Sequence, residues 1–302
     1  MLKFDKNFSP EYGNSVTLSP LIRRIVAQNP SPFTFHGTGT YIVGREDSSG
    51  GLAVIDPGPA MPSHMHALEN YLDGKQVSHI FVTHNHMDHS PAAHPLQQLT
   101  GAKIYAFPVD GQTYSDNHTE EGLDKEFSPD VELADGEIIH GDGWTLEAVH
   151  TPGHLSNHLC FALHEEKALF SGDHVMGWST SVVSPPDGHM GDYLQSLEQL
   201  LVRDDEIYYP THGNPIPDPE PFVEGLLQHR RQREEQILQV IKSGAKTIPD
   251  MVDIIYADVP SYLHPAAARS VLAHLIHMVE TRRLQCDGKP EVNSIYELTE
   301  HK

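Results

Sequence analysis

The 302-residue sequence predicts an α/β protein carrying a small helical unit at its C-terminal end, on three observations. Short apolar, β-branched runs recur, and each ends in glycine, proline or a metal-binding side chain, as buried strands do where they leave a sheet. The first of these runs passes through a turn into a capped helical segment. From residue 217 onward helical spacing dominates, and the proline-rich stretch 215–221 reads as a linker. The expected division is therefore 1–216 and 217–302, sizes that suit one large domain and one small one.

The first run is His79-Ile80-Phe81-Val82-Thr83, and His84-Asn85-His86-Met87-Asp88-His89 follows on the turn. Ser90 is the expected N-cap, Pro91 the first helical residue, with Ala92 and Ala93 continuing. Three imidazoles and a carboxylate within six residues suit divalent metal better than core packing. His84 and His86 can face one side of the turn, and Asp88 and His89 a second position, so the spacing suggests two ions. The chain holds 22 histidines, which makes chance clusters more frequent, but the strand–turn–helix context is what a metal site needs. Three later runs repeat the arrangement. Residues 144–149 lead into His150-Thr151-Pro152-Gly153-His154, 168–171 into Gly172-Asp173-His174, and 207–209 into Pro210-Thr211-His212-Gly213. Each offers a ligand at a strand end beside a residue that permits a sharp turn.

With those residues in place, His84-x-His86-x-Asp88-His89 followed by His150, Asp173 and His212 resembles the metallo-β-lactamase-fold hydrolases over roughly residues 33–216. The resemblance implies a four-layer αββα sandwich. It implies His84, His86 and His150 on one metal, Asp88, His89 and His212 on the second, and Asp173 bridging. Asp56, in Ile55-Asp56-Pro57-Gly58, matches the early acidic motif that supports the site from behind, and residues 39–44 match the opening strand. Asp88 and Asp173 are the expected catalytic carboxylates. His154 and His158 are candidates to orient ligands through hydrogen bonds, while His154, His174 and Tyr193 are candidate substrate contacts.

The remainder resembles a narrower group. Residues 217–222 open a long helix with Asp218 as N-cap and Pro219 at the first position, running to about Lys242 and stopping at Ser243-Gly244. Thr247-Ile248-Pro249 begins a second helix, and Val271, Leu272, Leu275, Ile276 and Val279 mark a third. Residues 284–286 and 294–298, with a turn at Asp287-Gly288, read as a two-stranded wing. This layout is similar to the winged-helix extension of the β-lactamase-like-protein-2 family, whose members include an endoribonuclease.

Composition narrows the partners. No run of eighteen apolar residues and no secretory signal is visible, and Cys160 and Cys286 form no Cys-x-x-Cys pair, so a cytoplasmic protein with reduced thiols is expected. Residues 1–216 hold 10 Lys/Arg against 29 Asp/Glu, a balance of −19, and residues 217–302 hold 10 against 13, a balance of −3. An acidic surface opposes the phosphate neutralisation that nucleic-acid binders rely on. The winged helix therefore reads as a lid or packing module, and Arg230, Arg231 and Arg233 as a solvated face paired with Glu234 and Glu235. A homodimer is the prior for such an enzyme.

Imidazole with carboxylate favours zinc, although iron and manganese also accept such mixed ligands. Two metals sharing Asp173 can bring the pKa of a bound water from about 15.7 toward 7, so no serine or cysteine nucleophile is required. Cys160 reads as a small buried hydrophobe. The expected activity is dinuclear zinc-dependent hydrolysis of a small ester, thioester or lactone. A single-strand-specific endoribonuclease is the alternative, as is a glyoxalase-II-like thioesterase, which shares the ligands and the 150–154 run. The resemblance also covers mononuclear iron persulfide dioxygenases, which would use His84, His150 and Asp173. Only 38 residues separate Asp173 from His212, too few for the inserted domain of the RNA-processing relatives.

Overall fold

Alternate residues of single strands serve different hydrophobic layers, and this decides the architecture. The computed structural model describes residues 2–45, 50–109 and 122–299. The first sheet runs β1 (Ser15–Thr17), β2 (Ile22–Val26), β3 (Gly39–Val43), β4 (Leu52–Ile55), β5 (Val77–Phe81), β6 (Lys103–Ala106) and β7 (Val131–Glu132). It is antiparallel as far as β4 and parallel beyond. Helices α1 (Pro62–Leu72) and α2 (Ala93–Thr100) make the crossovers that parallel strands require. The second sheet contains β8 (Ile138–His140), β9 (Thr145–His150), β10 (Leu159–Leu163), β11 (Ala168–Gly172), β12 (Ile207–Pro210) and β13 (Ile216–Pro217), in spatial order 13-12-11-10-9-8. Between its parallel pair β11 and β12 runs α3 (Met190–Leu201).

Tyr41, Val43, Ile55 and Phe81 of the first sheet meet Leu146, Phe161 and Phe170 of the second in one shared core. Their strand neighbours Ile42, Val54 and Ile80 face outward onto Leu68 and Leu72 of α1 and Leu96 of α2. On the far side, Cys160 and Leu169 pack on Met190 and Leu197 of α3. The result is the expected four-layer αββα sandwich. Each fully buried aliphatic or aromatic side chain stabilises it by about 1.5–3 kcal/mol.

The C-terminal unit comprises α4 (Glu220–Lys242), α5 (Ile248–Ile255), α6 (His264–Glu280) and the antiparallel pair β14 (Leu284–Cys286) and β15 (Tyr296–Leu298). A capping box between Thr247 and Asp250 starts α5. The helix α4 belongs to two cores. Val223, Leu226 and Leu227 pack beneath α3, whereas Ile237 and Ile241 join Met251, Val271 and Leu275. The stretch read as a linker thus includes an edge strand, because Ile216 and Pro217 pair with β12. Both expected caps differ. Asp218 sits at φ 50° outside the helix, and Pro219 takes the cap position with no side-chain bond. Ser90 gives its hydroxyl to Asp124 Oδ2 at 2.9 Å, and α2 begins only at Ala93, because the His86 carbonyl turns the chain first by accepting from His89 N and Ser90 N.

The arginine cluster is not the solvated face expected. Arg230 is buried, Arg231 pairs with Glu198 at 2.8 Å, and Arg233 lies over the Tyr256 ring at 4.4 Å. Glu234 instead turns inward to His277 at 3.1 Å and Arg283 at 2.6 Å. No helix among the described residues is long and apolar enough to cross a membrane.

Burial alone would raise the Glu234 carboxyl, but His274 and the Arg283 guanidinium bring it down to about 2. A carboxyl depressed on folding contributes stability above its unfolded value of about 4.3 and loses it as pH falls through the folded value. Glu234→Gln should therefore be less stable than the parent at pH 7. The difference should shrink between pH 4.5 and 2 in denaturant titrations.

Candidate metal centre

The loops at the C-terminal ends of β4, β5, β9, β11 and β12 meet over one edge of the sandwich, and a buried carboxylate ties those after β4, β5 and β12 together. Asp56, at φ 49° just past β4, accepts from Thr83 N at 2.8 Å and from Thr83 Oγ1, His89 Nδ1 and Thr211 Oγ1, each at 2.9 Å. Thr83 precedes His84 and Thr211 precedes His212, so the same group fixes three loops in register.

Three overlapping groups of side chains result: His84, His86 and His154; Asp88, His89 and His212; and, joining them, His84, His89 and Asp173, with ligand atoms in each within 4.8 Å of one another. In the first, His86 Nδ1 lies 2.9 Å from His84 Nε2 and 3.1 Å from His154 Nε2. In the second, Asp88 Oδ2 lies 3.3 Å from His89 Nε2 and 3.2 Å from His212 Nε2. Asp173 stands between them. Its Oδ2 is 3.9 Å from His154 Nε2 and 3.6 Å from His89 Nε2, and its Oδ1 is 3.4 Å from His212 Nε2.

The far nitrogens of four of these rings are anchored, as they are in metal-ligating histidines generally. His84 Nδ1 meets Thr83 Oγ1 at 2.9 Å, His89 Nδ1 meets Asp56, His154 Nδ1 donates to Val182 O at 2.6 Å, and His212 Nδ1 to Gly37 O at 3.1 Å. Three inward atoms, His89 Nε2, His212 Nε2 and Asp173 Oδ1, are buried and make no hydrogen bond, their nearest polar neighbours being the carboxylates and imidazoles of the cluster itself. Buried polar atoms are rarely left so. Divalent metals at about 2.0–2.2 Å from imidazole nitrogen and carboxylate oxygen would satisfy them. The residues therefore fit a bound divalent metal.

Electrostatics agree with that fit. Burial and the surrounding imidazoles hold His84 well below the usual histidine range, so it presents a lone pair. Burial opposes charge on His89 and His212, but the neighbouring carboxylates override it, raising His89 well above its usual range and His212 to about 10. Asp173 is buried and Asp88 half-buried, yet those same histidines hold both below the usual carboxylate range.

One expected ligand is not in the cluster. His150 is still in strand pairing, opposite Leu159, with its ring stacked on Phe107 at 3.9 Å and its Nε2 donating to Ser156 O at 2.9 Å. The chain must pass the Pro152-Gly153 turn before a side chain can fold back over the sheet edge, and His154 is the one that does. Gly153 is required there: at φ 132°, a Cβ would lie 2.4 Å from the Tyr193 backbone. His154, expected as a substrate contact, thus takes the place assigned to His150. Both histidines were visible in the sequence; the end of strand pairing is what tells them apart.

Three other candidates lie behind the cluster. His158 Nε2 accepts from Asp173 N at 3.2 Å, and its Nδ1 meets Thr151 Oγ1 at 2.8 Å. Gly172 makes room for it, since a Cβ there would fall 2.5 Å from His158 Nε2. Tyr193 is fully buried and donates to His174 O at 3.1 Å, and His174 is itself fully buried against the Tyr193 ring. Neither side chain is open to solvent, because both are packed into the core about α3.

The sequence model described as the metallo-beta-lactamase superfamily matches residues 34–212, and that of the beta-lactamase associated winged helix domain matches 247–289. A lactamase-like protein of Aspergillus niger is 30% identical over 288 residues, covering 89% of this chain and 83% of that one. An atrochrysone carboxyl ACP thioesterase of Cryptosporiopsis sp. is 32% identical over 257 residues, covering 80% and 73%. The crystal structure of a beta-lactamase domain protein from Burkholderia ambifaria superposes with a TM-score of 0.81 at 20% identity, covering 98% of this chain and 97% of that one.

Two outcomes are expected from metal titration. His154→Ala should lose one of two bound metals, whereas His150→Ala should keep both; the reverse would restore His150 as the ligand. Because the neighbouring carboxylates raise the pKa of both His89 and His212, metal loading should release protons and apparent affinity should rise with pH. Calorimetry in two buffers of different ionisation enthalpy reads that proton release directly.

Proposed function

The chain belongs to the metallo-beta-lactamase superfamily and carries its associated winged helix domain, and from that premise we propose that this hydrolase is a dinuclear zinc enzyme acting on acyl thioesters and related small esters. The observation that carries the reading is the pair of buried triads with Asp173 between them. A zinc pair held there supplies Lewis-acid polarisation of a carbonyl and hydroxide at neutral pH. Asp173 faces both triads and so fixes their separation. The Asp88 side chain is 15% exposed, against 4% or less for His89, His212 and Asp173. It is the carboxylate placed to accept a hydrogen bond from incoming water and aim it at the carbonyl carbon. Water is the nucleophile in this reading, since burial pushes the Cys160 thiol up to about 12 and keeps it protonated.

The substrate class draws on the relatives and on charge. A relative 32% identical to this chain is named for hydrolysis of a carboxyl acyl-carrier thioester. A formal charge of −22, with Arg230 buried and Arg231 and Arg233 engaged, favours a small acyl substrate over RNA. The convergence of six ligand side chains besides Asp173 favours two metals over the single iron of a dioxygenase.

The test is turnover by the zinc-loaded protein on acyl thioesters, lactones and fluorogenic single-stranded RNA, with Asp173→Ala as control. Metal-dependent thioester or ester cleavage, lost by several orders of magnitude in Asp173→Ala, is expected. RNA cleavage outpacing every ester would overturn the substrate class, and full activity in Asp173→Ala would overturn the site.

A further inference from the structure

The buried arginine on α4 lies one residue removed from a candidate ligand. Arg230 Nη2 donates to Ser181 O at 2.5 Å, and the next carbonyl, Val182 O, accepts from His154 Nδ1 at 2.6 Å. The Arg230 guanidinium also lies over the Tyr193 ring at 5.1 Å, and the Tyr193 backbone is what Gly153 packs against. The segment 181–189 is thus held from both sides. Ser156 N donates to Asp187 Oδ2 at 2.9 Å and His189 N to Gly153 O at 2.9 Å, which ties it to the loop bearing His154. Arg230 holds it from α4.

We propose that Arg230 is a positioning residue for His154, through which the C-terminal unit completes the His84/His86/His154 subsite. The guanidinium suits this task better than an ammonium. Its planar fork is pre-organised and weakly hydrated, so it can be buried against a carbonyl and an aromatic face together. The carbonyl it fixes belongs to the peptide preceding the one that orients the His154 ring. A ring whose Nδ1 is held by a fixed carbonyl presents Nε2 in one direction only. Arg230 therefore serves the metal site rather than a nucleic acid, and through it the second unit becomes part of the enzyme's machinery.

The inference rests on the metal-site reading above, and the variants separate the two. Zinc content and stepwise zinc affinity are measured for the full chain and for Arg230→Met, Arg230→Lys, Arg231→Met and His154→Ala. Loss of a partner that orients a ligand typically weakens metal affinity by roughly 10–100-fold. Arg230→Met is expected to show that loss at one of two sites, matching the site lost in His154→Ala, with the other site unchanged. Arg231→Met, whose ion pair with Glu198 is exposed, should bind like the parent. Arg230→Lys keeps the buried charge but not the fork, and should fall between. The 15N chemical shifts of the His154 ring should report a weakened Nδ1 hydrogen bond in both Arg230 variants.

If His154→Ala retains two metals, the metal-site reading fails whatever Arg230 does. If His154→Ala loses one while Arg230→Met keeps both with parental affinities, the positioning role is overturned. Should Arg230→Met not fold, Arg230→Lys decides: parental affinities and an unchanged His154 ring would overturn the proposal.

Discussion

The Asp56 carboxylate is the group on which the site depends. Four donors converge on it from two other loops, one from the His89 ring and the others from the threonines preceding His84 and His212. In a buried setting each of those bonds is costly to leave unmade, by about 1–3 kcal/mol for an orphaned group. The chain accepts a left-handed conformation at Asp56 to place it there, a strain that the surrounding contacts outweigh. One short side chain thereby sets the spacing of residues more than a hundred positions apart.

The carboxylates and imidazoles above that hub explain each other. Six nitrogen- and oxygen-bearing side chains around Asp173 in a dry edge of the sandwich would be unfavourable as isolated polar groups. The carboxylates raise the pKa of His89 and His212, and those histidines lower the pKa of the carboxylates, so each set favours the charged form of the other.

The second unit is bound to the first through a shared helix. Because α4 contributes to two hydrophobic cores, its orientation cannot change without opening one of them. A flexible tether would have left the helices free to act as an independent reader. Arg230 extends the same continuity from packing to the polar interior. A division of the chain at residue 216 therefore describes sequence patterns better than it describes mechanical units.

Much of this was legible in the chain itself. The strand–turn–helix grammar around residues 84–89 and the isolated Asp173 and His212 at strand ends mark the site, because ligand chemistry and turn chemistry are both local properties. Apolar runs likewise specify strands buried on two faces, and Thr247-Ile248-Pro249 specifies the start of α5. Three features were decided only in three dimensions. The choice of His154 over His150 depends on where strand pairing ends, which is set by β10 lying alongside. The burial of Tyr193 and His174 depends on how α3 docks, and the fate of the α4 arginines on which face of that helix meets the segment 181–189. Sequence fixes which groups can bond; only the packed chain fixes which of them are close enough to do so.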